Sequence, residues 1–515
     1  MFDRARSLFA ASLGAWAVGV ALLGLAGPVA SGEPAFRGPE LVLLGGGEPK
    51  RLVLEVEADG RSLLTSWEEA MAALVRHCDR DGDGVLDEME AKGLPSPFGL
   101  RQLSWGIFRL DGPAPAWRQV DGNGDAKVGV AELSTYYRSR GVGPVLVGLG
   151  RPRFTGRLNE ALGEALDADH DGQVREEEVA KAGALLEALD RNGDERLTAD
   201  ELVAGISYPG TRGTLGLAPT PSASQVAEVP LVLLPPWDDG GRWAEAVAQR
   251  FGSTLDAERL RAWRGEAPAY RWVVRLDRSD VASGGSGDSE PAEELAPGAW
   301  LTAATEGLAW HLRADEGSLA EDFQAHRKQQ EALFSAVDTD LDERVTARDL
   351  EDPSRALLAL VLPWADRDGD GTLSRVEHDA WLRLLETLSR GWVLITVLDH
   401  GRGLFEAIDS DHDGALSARE LRSSGKRLEK AGAMVDGVLS LDRLPRTLIG
   451  CVSRGHPRTS LAAWPPSRPD WFQGMDRNRD GDLSVREWVG DPSLFHDLDV
   501  NHDQLLSPRE AMKIQ

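Results

Sequence analysis

An acidic segment of twelve residues recurs along this chain and constrains its fold more than any other feature. In the copy that begins at Asp79, oxygen-bearing side chains occupy positions 1, 3, 5 and 9, glycine occupies position 6, an apolar residue position 8 and glutamate position 12. Alternating carboxylates on a tight turn direct several oxygens at one point, and the carbonyl group at position 7 adds another. Because Ca²⁺ takes about six to eight oxygen ligands, the pattern predicts a calcium site.

Nine segments have usable ligand sets of this kind, and all nine carry Leu or Val at position 8. Each loop is named here by the number of its first residue. With position 7 contributing its backbone carbonyl, the predicted ligands are Asp79, Asp81, Asp83, Val85, Asp87 and Glu90; Asp121, Asn123, Asp125, Lys127 and Glu132; Asp167, Asp169, Asp171, Gln173 and Glu178; Asp190, Asn192, Asp194, Arg196 and Glu201; Asp338, Asp340, Asp342, Arg344 and Asp349; Asp366, Asp368, Asp370, Thr372 and Glu377; Asp409, Asp411, Asp413, Ala415 and Glu420; Asp476, Asn478, Asp480, Asp482 and Glu487; Asp499, Asn501, Asp503, Leu505 and Glu510.

These loops resemble those of the EF-hand superfamily, and the chain resembles secreted proteins that contain several compact EF-hand pairs. The resemblance rests on the loops, which cover under half of the chain. It implies that Ca²⁺ is the bound ion and that the matching residues are its ligands. It does not distinguish buffering, sensing and adhesive roles.

Four loops lack the glycine expected at position 6, where the backbone needs a positive φ: Ala126, Glu195, Glu343 and Gln504 replace it. A non-glycine residue there costs about 1 kcal/mol. Loop 338 also ends in Asp349, which is one methylene shorter than glutamate, so it is predicted to be the weakest site and to tolerate Mg²⁺ better. Loops 79, 167, 366, 409 and 476 are predicted to be the strongest.

A tenth segment, loop 432, keeps Leu439 at position 8 but has Gly432 and Arg443 at positions 1 and 12. It is predicted to bind no Ca²⁺ and to serve as a structural partner. The start-to-start spacings of 42, 23, 28, 23 and 23 predict five pairs of sequence neighbours. Two antiparallel loops can exchange backbone hydrogen bonds at position 8, so Leu86 is expected to face Val128 and loop 409 to face loop 432.

The sequence therefore predicts a mainly α fold of several EF-hand (helix–loop–helix) pairs, with a smaller mixed α/β region inserted in the middle. Within the mixed region, apolar runs at Leu231–Leu234 and Arg271–Leu276 predict strands. The predicted segments are a signal peptide at 1–31, a strand-rich segment at 32–64, EF-hand pairs at 65–140, 155–205, 319–390, 391–450 and 465–515, and the mixed region without metal loops at 206–318.

The first 31 residues have the features of a secretory signal peptide. Arg4 and Arg6 precede an apolar run from Leu8 to Gly27, and small residues follow, so cleavage is expected near Ala30 or Ser31; an uncleaved anchor is the alternative. The expected location is secreted, periplasmic or cell-surface. Export would permit a bridge between the two cysteines, Cys78 and Cys451, and two separate buried thiols are the other interpretation.

The formal net charge of −27 argues against nucleic acid as a partner, because phosphate binding needs a basic surface. No hydrolase elbow, zinc-protease helix or phosphate-binding glycine loop is found, so we expect no enzyme, no catalytic residues and no cofactor besides Ca²⁺. The predicted function is an exported, acidic calcium-binding protein with a structural or buffering role. Two alternatives stay open: a Ca²⁺-dependent adhesion or scaffold protein that binds a protein or cell-surface partner through 206–318, and an enzyme with catalytic residues in that region.

Overall fold

The computed structural model describes residues 39–46, 48–110, 112–206, 229–234, 266–277, 293–297, 299–346, 349, 358, 360–457 and 469–512. The predicted signal peptide, with its cleavage point and its alternative as an anchor, lies outside these residues. Among the described residues, no helix combines the length and the apolar character needed to cross a membrane.

The fold is mixed, with 38% helix and 22% strand, so the prediction of a mainly α protein is wrong. Several strands that the sequence did not reveal are short apolar runs between the loops, such as Val393–Gly401 and Arg446–Ser453. Both are buried along nearly their whole length. They therefore lack the alternation of apolar and polar residues that marks a half-buried strand.

Six strands form sheet I, which contains the N-terminal part of the described chain. Lys50–Ala58 is its longest strand, antiparallel to Glu40–Leu43 and parallel to Tyr270–Arg275. The spatial order is Leu231–Leu234, Glu40–Leu43, Lys50–Ala58, Tyr270–Arg275 and Glu293–Leu295, with Arg61–Ser62 pairing separately with Lys50–Ala58.

Five strands form sheet II, which lies at the centre of the topology. Val393–Gly401 is parallel to Val145–Gly150 and antiparallel to Arg446–Ser453. The spatial order is Val145–Gly150, Val393–Gly401, Arg446–Ser453, Leu308–Asp315 and Trp300–Thr305.

The two sheets share one apolar core. Trp272 of sheet I and Trp310 of sheet II are fully buried, and their ring centroids are 5.9 Å apart. The strands Leu231–Leu234 and Tyr270–Arg275, which lie in the predicted mixed region, thus pair with strands from outside that region and pack against sheet II.

Most helices are short and flank the acidic loops. Of the helices that the structure describes, the longest are Leu319–Val337 and Leu63–Cys78. The α-helices in this part of the chain are Leu63–Cys78, Pro97–Leu103, Trp117–Val120, Val130–Ser139, Thr155–Leu166, Glu176–Val179, Leu185–Leu189, Ala199–Leu202, Leu319–Val337, Leu362–Ala365, Arg375–Ser389, Leu404–Ile408, Ala418–Lys430, Asp470–Met475, Pro492–Leu498 and Pro508–Ala511. The 3₁₀ helices there are Glu90–Gly93, Ala182–Ala184 and Leu441–Arg443.

Within the described ranges, the order strand, helix, acidic loop occurs four times. It begins with the strands Lys50–Ala58, Val145–Gly150, Leu308–Asp315 and Val393–Gly401, which lead to loops 79, 167, 338 and 409. Loops 79 and 121 pack with loops 338 and 366 around one apolar cluster. Loops 167, 190, 409 and 432 surround a second cluster, and loops 476 and 499 a third. The chain therefore contains two halves with the same order of elements. The first half includes loops 79 to 190 and the second includes loops 338 to 432, and corresponding loops of the two halves pack around the same cluster.

Three loop pairs form between sequence neighbours, as the spacings predict. Leu86 and Val128 form an antiparallel bridge that joins loop 79 to loop 121. Loop 338 joins loop 366 through the strands Arg344–Val345 and Leu373–Ser374. Loop 476 joins loop 499 through Leu483–Ser484 and Leu505–Leu506.

The other two pairs are exchanged between the halves, so the expectation that loop 409 faces loop 432 is wrong. The strand Ala415–Ser417 of loop 409 pairs with Arg196–Thr198 of loop 190. Loop 432 folds into a small hairpin, Met434–Val435 with Val438–Leu439, and pairs with loop 167: the Leu439 amide donates to the Val174 carbonyl at 2.8 Å. The strands Val145–Gly150 and Val393–Gly401 are parallel neighbours that precede loops 167 and 409. They therefore place each of these loops beside the loops of the other half.

The exchange can be tested by cross-linking. Ala415 and Thr198 are opposite residues in the antiparallel ladder next to the position-8 pair. Such flanking residues approach closely, so an Ala415→Cys/Thr198→Cys variant should form a disulfide under mild oxidation. Non-reducing peptide mapping by mass spectrometry reads the bond. An Ala415→Cys/Ser440→Cys variant, which tests pairing with loop 432, should stay reduced; the opposite result would contradict the exchanged pairing.

Candidate metal centres

All nine predicted loops share one backbone conformation, with positive φ at positions 4 and 6. The four loops without glycine at position 6 adopt it as well: Ala126 has φ 62°, Glu195 62°, Glu343 61° and Gln504 65°. Because this region disfavours residues with a Cβ, each of these loops holds about 1 kcal/mol of strain. These four loops thus adopt the conformation of the other five in spite of the strain at position 6.

A hydrogen bond across the loop fixes the carboxylate at position 1. In every one of the nine loops the position-6 amide donates to the position-1 aspartate, for example from Gly84 to Asp79 at 3.0 Å and from Gln504 to Asp499 at 2.8 Å. The position-7 amide donates likewise to the position-5 aspartate, as from Val85 to Asp83 at 2.9 Å. The other loops contain the same two hydrogen bonds, from the position-6 amide to position 1 and from the position-7 amide to position 5.

The glutamate at position 12 ties the exiting helix back to the loop. Glu90 accepts hydrogen bonds from the amides of Arg80 at 2.6 Å and Asp87 at 3.0 Å. In loops 190, 366, 409 and 499 the same glutamate forms a capping box with the Ser or Thr at position 9. These contacts hold the carboxylate over the loop before any ion binds.

Asp87, which the sequence predicts as an additional ligand, also has a structural role. Its carboxylate accepts hydrogen bonds from the amides of Met89 at 2.7 Å and Glu90 at 2.8 Å. Asp87 therefore fixes the turn that leads into the short helix Glu90–Gly93, which carries the position-12 carboxylate.

The acidic side chains converge closely enough to hold a cation. In several loops three carboxylates offer oxygens that all lie within 4.8 Å of one another. These groups include Asp79, Asp81 and Glu90; Asp121, Asp125 and Glu132; Asp167, Asp169 and Glu178; Asp338, Asp340 and Asp342; and Asp366, Asp368 and Glu377. The donors are all oxygens, which fits a hard cation such as Ca²⁺. In loop 338 the three are those at positions 1, 3 and 5, without the short Asp349.

Loops 409 and 476 are the most enclosed. Asp409 is fully buried and Asp476 is 4% exposed, because the pair formed by loops 190 and 409 packs against the pair formed by loops 476 and 499. Burial, reinforced by the neighbouring carboxylates, raises the pKa of Asp411 to about 8, and burial raises the pKa of Asp480 to about 7. Without a cation, Asp411 and Asp480 therefore hold protons near neutral pH.

His412 shows where exposure could not be read from the loop pattern. It occupies position 4, where His170 and His502 of other loops are exposed. His412 is instead buried, with its ring centroid 4.1 Å from that of His311 and 5.2 Å from that of Trp300. Position 4 points away from its own loop, but in loop 409 it points into sheet II.

The two cysteines are separate thiols, Cys78 and Cys451, both buried. Burial raises the pKa of Cys78 to about 12 and that of Cys451 to about 11, so both are held as neutral thiols.

Comparison with known proteins agrees with the loop geometry. A family model described as EF hand matches residues 402–423 and 470–489, which contain loops 409 and 476. No curated protein and no solved structure matches the chain. The two family matches support EF-hand membership and suggest calcium binding.

Metal binding at loop 409 should release protons. Because Asp411 has a pKa of about 8 in the metal-free protein, Ca²⁺ binding at pH 7 must displace its proton, whereas at pH 9.5 that carboxyl is already ionised. Calorimetry in buffers of different ionisation enthalpy measures the released protons.

The matched control is Asp411→Asn, since asparagine occupies position 3 in four other loops. Its proton release at pH 7 should fall relative to the unsubstituted protein. Equal release at both pH values, or no change in the variant, would contradict the raised pKa.

Proposed function

We propose that the protein is an exported calcium-binding protein that takes up several Ca²⁺ through paired EF-hand loops, in a structural or buffering role. The observation that carries this proposal is the shared geometry of the nine loops. Each has a left-handed backbone conformation at positions 4 and 6, and in each the carboxylates at positions 1 and 5 accept hydrogen bonds from loop amides.

Charge supports coupling between Ca²⁺ and folding. Nine bound Ca²⁺ would offset two thirds of the formal net charge of −27. The carboxylates of each loop repel one another without a cation, and in the enclosed loops 409 and 476 burial and this repulsion raise the pKa of Asp411 and Asp480. Ca²⁺ that binds the folded loops would therefore stabilise the fold by mass action.

A structural role is favoured by the way the loops join the rest of the chain. Position-8 residues such as Leu86, Leu197 and Leu416 are fully buried in the same apolar clusters as the flanking helices. Opening such a loop would disturb that cluster. Extracellular calcium modules have dissociation constants of roughly 10⁻⁴ to 10⁻³ M, a range that suits structural or buffering sites outside the cell. The proposed export rests on the features of residues 1–31; cleavage would place the mature N-terminus near Ala30 or Ser31, and an uncleaved anchor is the alternative.

Thermal unfolding tests the proposal. At free Ca²⁺ one hundred times the dissociation constant, each occupied site should contribute about 2.7 kcal/mol. The melting temperature should thus rise strongly with Ca²⁺ and fall on chelation, and Glu420→Gln and Glu487→Gln should each reduce the rise. Glu429→Gln is the matched control, because Glu429 is exposed on the helix that follows loop 409.

A melting temperature that does not respond to Ca²⁺ would refute the structural role. N-terminal sequencing of the exported protein tests the signal peptide independently, and a mature chain that begins at Met1 would contradict cleavage.

A further inference from the structure

Each of the five loop pairs places a basic side chain beside an aspartate at position 5. The five ion pairs are Lys127 with Asp83, Arg175 with Asp171, Arg196 with Asp413, Arg344 with Asp370, and Arg419 with Asp503. Basic residues are outnumbered in this chain, whose net charge is −27. Even so, every loop pair has a basic side chain at the same ligand position, the position-5 aspartate.

Three of the five cations come from the facing loop of their own pair. Lys127 Nζ lies 3.6 Å from Asp83 Oδ2, and Arg344 Nη2 lies 3.5 Å from Asp370 Oδ2. Arg196 forms an ion pair with the buried Asp413 in the same way. All three occupy position 7 of a loop that lacks glycine at position 6.

The antiparallel pairing of the loops explains why a position-7 side chain contacts the facing loop. In the ladders, position 7 of one loop lies opposite position 9 of the other, as Arg344 lies opposite Ser374. A long basic side chain at position 7 therefore extends over the facing loop, while its backbone carbonyl stays with its own loop.

The other two pairs obtain the cation differently. Loop 167 faces loop 432, which has no ligand set, and its own position-9 residue Arg175 contacts Asp171 at 2.5 Å and Asp169 at 3.6 Å. Loops 476 and 499 have Asp482 and Leu505 at position 7. Their cation is Arg419 from the exiting side of loop 409, which lies 2.7 Å from Asp482 and 3.6 Å from Asp503.

We infer that these five basic residues lower the Ca²⁺ affinity of the loops whose position-5 aspartate they contact. Without metal, the cation offsets part of the repulsion among the carboxylates and so stabilises the empty loop. When Ca²⁺ binds, the same positive charge repels it and lowers its affinity. They matter in this way only if the loops bind Ca²⁺, so the inference rests on the proposed function.

The size of the effect follows from Coulomb's law. A unit charge about 6 Å from a divalent ion, in a medium with the dielectric constant of water, changes its affinity about tenfold. The effect should be larger for Arg196, whose ion pair with Asp413 is largely buried, than for Lys127, which is exposed. Each pair would then contain one loop whose Ca²⁺ affinity is lowered by a basic side chain.

The test removes the cation from one pair and reads two loops in the same molecule. In the full-length chain labelled with ¹⁵N-glycine, the amides of Gly84 and Gly371 report the occupancy of loops 79 and 366 separately, because each donates to the position-1 aspartate. Lys127→Gln should lower the Ca²⁺ midpoint at Gly84 by about tenfold and leave the midpoint at Gly371 unchanged.

Lys92→Gln is the matched control, since Lys92 is exposed just after loop 79 and contacts the sulfur of Met89. It removes the same unit charge and should leave the midpoint at Gly84 nearly unchanged. The Ca²⁺-free Lys127→Gln protein should also melt at a lower temperature than the Lys92→Gln protein. A purely structural role for Lys127 would lower both stability and affinity.

The outcomes separate the two proposals. If the unsubstituted protein shows no Ca²⁺-dependent shift at either glycine, the proposed function fails. If it does shift, and Lys127→Gln matches Lys92→Gln or binds Ca²⁺ more weakly than the unsubstituted protein, the inference about the cations is wrong. Arg344→Gln, read at Gly371, repeats the test in a second pair and should raise affinity there alone.

Discussion

The exchange of backbone hydrogen bonds between two loops at position 8 is the interaction on which the rest of the structure depends. Leu86 and Val128 donate to each other's carbonyl at 2.9 Å, and both side chains are fully buried. A lone loop would leave these groups without partners and its apolar residue in water. The exchange therefore fixes each loop against a partner, and it places the position-7 side chains of Lys127, Arg196 and Arg344 next to ligands of the partner loop.

Partner choice is decided by tertiary structure and not by spacing along the chain. Loops 167 and 190 start 23 residues apart, as do loops 476 and 499, yet only the latter two pair with each other. The strands Val145–Gly150 and Val393–Gly401, which precede loops 167 and 409, are parallel neighbours in sheet II. Loop 167 then pairs with loop 432 and loop 190 with loop 409, so the loops of the second apolar cluster require both halves of the chain to be folded.

The acidic loops could be predicted well because their chemistry is local. The alternating oxygens, the apolar position 8 and the closing carboxylate all lie within twelve residues, and even Glu195 and Glu343 adopt the expected left-handed conformation. The sheets could not be predicted as well. The strand Arg446–Ser453 pairs on one side with Leu308–Asp315, more than one hundred residues away, and its continuous burial removes the alternation that would reveal it.

The basic residues at position 7 show the same limit at the level of single side chains. In the sequence, Lys127, Arg196 and Arg344 supply only a backbone carbonyl, because position 7 is defined by that group. Their side-chain contacts depend on which loop lies opposite, and for Arg196 that loop is more than two hundred residues away. The ion pairs became recognisable only once the loop partners were known.

Native mass spectrometry of the intact protein, titrated with Ca²⁺ in a volatile buffer, tests the central claim most directly because it counts bound ions. The nine loops with complete ligand sets predict a series of bound states that ends at nine Ca²⁺, and substitution of Glu420 by Gln should remove one. A series that ends below about four ions would contradict the conclusion that these loops are calcium sites.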